Sequence, residues 1–178
     1  MMVQIPPRLE RLPLGRGQKA LLGVSAGVLV ASALVLLHSL PHLPASIPTH
    51  WSGASAPDGY GSPSTLWGLW ALMLAMWVVL GLLAWQVSKG NLPLNGLPPI
   101  TPRNAPQPHS APHVLGELRT AFLIFQCIIM LIFSGSIVAV VVYSLGGPNL
   151  IVLSLLLVVL VPLGIGYMLC RISYLPQR

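Results

Sequence analysis

The sequence predicts an all-α, polytopic membrane protein with four transmembrane helices and both termini on the cytoplasmic side. Three observations carry that prediction. Hydrophobic residues make up 54% of the 178-residue chain and charged residues only 7%, too little charge to cover a soluble surface. The apolar residues gather in four blocks, 20–40, 65–87, 121–145 and 150–170, none containing Asp, Glu, Lys or Arg. At about 1.5 Å per residue each block reaches at least about 30 Å, the thickness of a bilayer's hydrocarbon core. The basic residues then set the topology. Arg8, Arg11, Arg16 and Lys19 precede the first block, Lys89, Arg103 and Arg119 lie between the second and third, and Arg171 and Arg178 follow the fourth. The other two connections have no Lys or Arg, and loops that keep these residues stay cytoplasmic.

Residues 1–19 read as a cytoplasmic basic tail broken by Pro6, Pro7 and Pro13. Ala31-Ser32-Ala33 offers a small-x-small cleavage site, but the long charged leader and an apolar stretch beyond the usual signal core of about 7–15 residues favour an anchored helix. Within this first span, Gly23, Gly27 and Ala31 form a small-residue face suited to close helix packing, expected to meet another helix of the same chain. Residues 41–64 form an outer loop. The second span carries Trp67, Trp70, Trp77 and Trp85 within a stripe about 80° wide at about 100° per residue. Three of them suit the aromatic belts at the interfaces, whereas Trp77 falls near mid-membrane. The stripe reads as lipid-facing, as packing within the chain, or as a docking surface for a partner helix or a long apolar ligand.

Residues 88–120 are expected to be a proline-rich cytoplasmic linker, since the segment from Ser88 to Leu118 holds Pro93, Pro98, Pro99, Pro102, Pro106, Pro108 and Pro112 and proline breaks a helix interior. A connector is the simpler reading, a ligand for a proline-recognising domain the more specific one. Residues 146–149, Gly146-Gly147-Pro148-Asn149, form a short outer turn that makes the third and fourth spans an antiparallel pair. Pro162, followed by Gly164 and Gly166, suggests a kink in the fourth span, and residues 171–178 are a cytoplasmic tail.

The charge of +6 and a pI near 10.0 do not indicate nucleic acid, because the basic residues are spread by topology and not gathered in a patch. The spans hold no carboxylate or basic group of the kind that ion and proton pathways use. Gln126, Ser134, Ser136 and Ser154 suffice for interhelical hydrogen bonds but not for a catalytic set. Cys127 and Cys170 sit towards the cytoplasmic side, so no disulfide is expected. No nucleophile stands beside a base and no glycine-rich phosphate loop is present, so the chain is expected to be no enzyme and to need no cofactor or metal. His42, His50 and Asp58 are ligand types for zinc, but their spacing is irregular and a fourth ligand is missing. A structural role fits better, with His50 and Asp58 bonding loop backbone or each other.

The outer loop is the densest segment. Pro41, Pro44 and Pro48 stiffen the descent from the first helix, Pro57-Asp58-Gly59 has the order of a tight turn, with glycine free to take positive φ, and Trp51 and Tyr60 are placed at the headgroup level. The run Leu43-Pro44, Ile47-Pro48-Thr49-His50-Trp51, Gly53 and Pro57-Asp58-Gly59-Tyr60-Gly61 resembles the loop signature of a bacterial membrane domain of unknown function that also forms the N-terminal part of SdpI-type immunity proteins. The resemblance covers about 25 residues directly and departs from those proteins in lacking their second helical region. It implies immunity or membrane signalling, with recognition by Pro44, Pro48, His50, Trp51, Asp58, Gly59 and Tyr60.

The functional expectation is a non-enzymatic protein of the bacterial plasma membrane that recognises a partner or signal through its outer loop. An accessory subunit of a larger membrane assembly is the alternative; a transporter would need polar residues converging on a cavity. The partners expected are the lipid bilayer and other membrane or envelope proteins, with no nucleic acid, and the oligomeric state is open.

Overall fold

The computed structural model describes residues 13–52, 56–88 and 111–150, with Val152, Val158, Val159, Pro162, Leu163, Gly164 and Gly166. The tail 1–12, most of the proline-rich linker and most of the expected fourth span lie outside the described residues, as do Gly53 of the loop motif and Cys170. In chain order the elements are helix α1 (Arg16–Ser39), a single 3-10 turn (Leu40–His42), strands β1 (Ile47–His50) and β2 (Gly59–Gly61), and helices α2 (Thr65–Ser88) and α3 (Ala111–Ser144).

The three helices are each long and apolar enough to cross a membrane, so a lipid bilayer is the environment they fit. Helix α3 is 34 residues long, about 51 Å at 1.5 Å per residue, and therefore overhangs a hydrocarbon core of about 30 Å. The expected linker boundary needs correction here, because residues 111–120 belong to α3. Pro112 does not prevent this: at the second helical position the missing N–H has no intrahelical acceptor to lose. The other end of α3 closes with Gly147 N–H donating to Val142 O (2.9 Å) and Gly146 N–H to Tyr143 O (3.0 Å), a Schellman arrangement. Gly146 takes φ 84°, and a Cβ at Gly147 would sit 2.6 Å from Val142 Cγ1. Glycine is required at both places.

Helix α3 is the hub, packing extensively on both α1 and α2, which touch each other less. Bonds at successive levels, from Gln18 to Thr120 and from Ser32 to Ser134, make α1 and α3 parallel. Trp70 and Trp77 meet Leu29 and Ser25 in reverse order, so α2 runs antiparallel to α1. The buried face of α1 is Gln18, Ser25, Leu29, Ser32, Leu36 and Ser39. Its polar members recur every seven residues, the spacing that keeps one seam of a helix against a neighbour. The apolar core joins Leu29 and Leu36 of α1, Leu66 and Met73 of α2, and Met130, Ile137, Val140 and Val141 of α3, with Ile47 of β1 closing one end. Gly164 approaches α3 as well: a Cβ there would come within 2.9 Å of Ile128 Cδ1.

Candidate functional site

The segment between α1 and α2 folds into a two-stranded antiparallel hairpin set on the end of the bundle where α1 finishes and α2 begins. Ile47 pairs with Gly61, Pro48 with Tyr60, and His50 with Gly59, leaving Thr49 as an extra residue on β1. Such a bulge bends the strand and re-aims the side chains beside it. His50 Nδ1 lies 2.7 Å from Asp58 Oδ1, and Asp58 N–H donates to His50 O (3.1 Å). The bond expected between His50 and Asp58 is therefore made, at the loop end of the hairpin and exposed to solvent. The contact with His50, then that with Ser52, holds the Asp58 carboxyl below its ordinary value, since hydrogen bonds to the charged form favour it.

Gly59 serves the hairpin differently from the expectation. Gly146 is the one glycine with positive φ among the described residues; what Gly59 supplies is room, because a Cβ there would stand 2.8 Å from His50 Cβ. Gly61 is similar, with a Cβ falling 3.1 Å from Thr49 Cγ2. These two glycines let the strands close tightly around the bulge.

The hairpin is anchored by its inner face. Ile47 is fully buried and Pro48 is buried, while Pro44 and Tyr60 are exposed, Tyr60 at 60%. The Trp51 ring packs edge-on against Tyr143, near the end of α3 (6.2 Å, 78°), and against the core. The hairpin thus offers Tyr60, Asp58 and His50 outward and spends Ile47 and Trp51 on its attachment. At the neighbouring 3-10 turn, His42 Nδ1 lies 3.0 Å from His38 O, so His42 is not drawn to the His50–Asp58 pair, and no group of three His, Cys, Asp or Glu suited to a metal occurs among the described residues.

Of the tryptophan stripe, two members bond to α1. Trp70 Nε1 donates to Leu29 O (3.1 Å) and Trp77 Nε1 to Ser25 Oγ (3.0 Å). Trp67 stacks edge-on with Trp70 (5.7 Å, 83°), and Trp85 is exposed. Trp77 is thus accounted for by packing within the chain. The small-residue face of α1 points the other way: Gly23, Gly27 and Ala31 are exposed, and a Cβ at either glycine meets nothing within 4 Å. No described residue makes the expected internal contact there; among the described residues the serine seam carries the packing of α1 on its neighbours. Sequence reasoning missed that seam, although the interval Gln18, Ser25, Ser32, Ser39 could have revealed it.

A second feature lies at the opposite end of the bundle. Between the start of α1 and the start of α3 opens a groove of about 740 Å³, lined by Gln18, Leu21, Val24, Arg119, Thr120 and Ile124 among others. Gln18 Nε2 donates to Gly116 O (3.0 Å) and Thr120 Oγ1 (2.9 Å), while its Oε1 accepts the Gly15 N–H. Arg119 Nη2 donates to Pro13 O (2.7 Å).

The sequence pattern of a family described as a domain of unknown function (DUF1648) matches residues 27–76. That segment contains the second half of α1, the whole hairpin and the first half of α2, and the match supports an uncharacterised membrane-type domain built around the hairpin. Among curated proteins and solved structures, none matches the chain.

Proposed function

We propose that the chain is a non-enzymatic protein of the bacterial plasma membrane that recognises a protein partner or signal through its hairpin, with four spans, both termini cytoplasmic and the hairpin outside. The observation that carries this reading is the bonded His50–Asp58 pair beside exposed Tyr60 on a hairpin whose other face is fixed to the bundle. Preorganised polar and aromatic groups bind with less entropy lost than a flexible segment does, and loops held on a rigid scaffold are where recognition concentrates. The likeness of the loop to the N-terminal part of SdpI-type immunity proteins points the same way.

The test is partner recovery from membranes in mild detergent. Asp58→Ala or His50→Ala should reduce recovery while leaving membrane insertion intact, whereas shortening the proline-rich linker by several residues should matter much less. Loss of recovery with the linker deletion alone would move recognition to the other side of the membrane.

A second reading, an accessory subunit of a larger membrane assembly, is favoured by the exposed Gly23, Gly27 and Ala31 face, where another backbone would fit. It differs in requiring stoichiometric co-purification that Gly27→Leu abolishes and Asp58→Ala spares.

A further inference from the structure

We infer that the groove between the beginnings of α1 and α3 binds one anionic phospholipid, its phosphate at the polar end and an acyl chain along the apolar end. The groove has the two-part chemistry of such a molecule. Gln18, Thr120 and Arg119 stand at one end and Leu21, Val24 and Ile124 continue from it, with Val24 56% exposed along the flank of the bundle.

Charge identifies the occupant. Arg16 and Lys19 lie in the first turn of α1, and Arg119 lines the groove. The first turn of α1 also holds no acidic residue, so its amide N–H groups add to the positive field. A guanidinium matches phosphate geometry well, and basic side chains near the membrane surface each add about 1 kcal/mol of attraction to anionic lipid, which is about fivefold in affinity. The position is right too, because α3 overhangs the hydrocarbon core and its early turns can sit at headgroup depth.

Native mass spectrometry of the full chain, offered dioleoyl phosphatidylglycerol or dioleoyl phosphatidylcholine, tests the inference. One phosphatidylglycerol should be retained in preference to phosphatidylcholine. Arg119→Ala is a poor probe on its own, since Arg119 also holds Pro13. Gly17→Glu is cleaner: Gly17 lines the groove, a Cβ there meets nothing within 4 Å, and an acidic residue suits the start of a helix. It should weaken phosphatidylglycerol retention about fivefold and leave phosphatidylcholine unchanged, while Val24→Trp, blocking the apolar end, should weaken both. Equal retention of the two lipids by the parent chain, or an undiminished preference in Gly17→Glu, overturns the inference. A photoreactive residue at Val24 that crosslinks to residues 1–12 or to a second copy, in place of lipid, overturns it as well.

Discussion

Asp58 and His50 carry a pH prediction with a definite sign. The folded-state pKa of Asp58 is lowered, chiefly by the bond with His50, so the stabilisation is present above the ordinary carboxylate value and is lost as pH falls through the lowered one. A carbon-detected NMR titration should place the Asp58 midpoint below that of a free aspartate, and His50→Ala should raise it; an unchanged midpoint in His50→Ala would show that the bond does not govern the carboxyl. Gly59 gives a steric counterpart. Gly59→Ala must displace His50 Cβ and should cost about 1–3 kcal/mol, read as faster proteolysis of the hairpin, with Gly61→Ala milder in proportion to its 3.1 Å approach. That His50 and Asp58 meet is legible in the sequence, because both are polar groups in one proline-stiffened loop. The Thr49 bulge is not legible, since it depends on how two short strands align and no local signal records that register. Hence the reason for Gly59 is misread as backbone freedom when it is space.

At the scale of elements, the helices are legible because hydrocarbon admits so few backbone arrangements; their partners are not. In lipid no hydrophobic driving force separates one apolar face from another, so the small-residue face Gly23, Gly27 and Ala31 announces itself in the sequence while the serine seam does the packing. The seam is testable by a double-mutant cycle on the Ser25–Trp77 bond. Ser25→Ala and Trp77→Phe, unfolded reversibly in mixed detergent, should couple by about 0.6 kcal/mol and by no more than about 1.7. Additive losses would mean the bond contributes nothing beyond contact. Gly27→Leu makes the contrasting prediction that the midpoint of unfolding stays put, since Gly27 is exposed and a Cβ there meets no described residue within 4 Å.

For the whole molecule the proposed topology is the first thing to measure. With Cys127 and Cys170 replaced by serine, Ser46→Cys should react with an impermeant reagent on intact cells and Ser110→Cys only after lysis; labelling of Ser110→Cys on intact cells would reverse the orientation. The arrangement of helices has a further consequence for how the protein comes into being. Helices α1 and α2 emerge from the ribosome first, yet each makes its principal contacts with α3, and the α3 partners of Gln18 and Ser32 are Thr120 and Ser134. During synthesis the first two helices therefore enter the bilayer joined by the hairpin and the two tryptophan bonds, with Gln18 and Ser32 of the seam lacking their α3 partners until 32 to 46 residues beyond Ser88 have been made, at roughly 5–20 residues per second. The newborn pair has to wait for its keystone, and a chain stopped short of α3 should be cleared by membrane proteases long before the complete one.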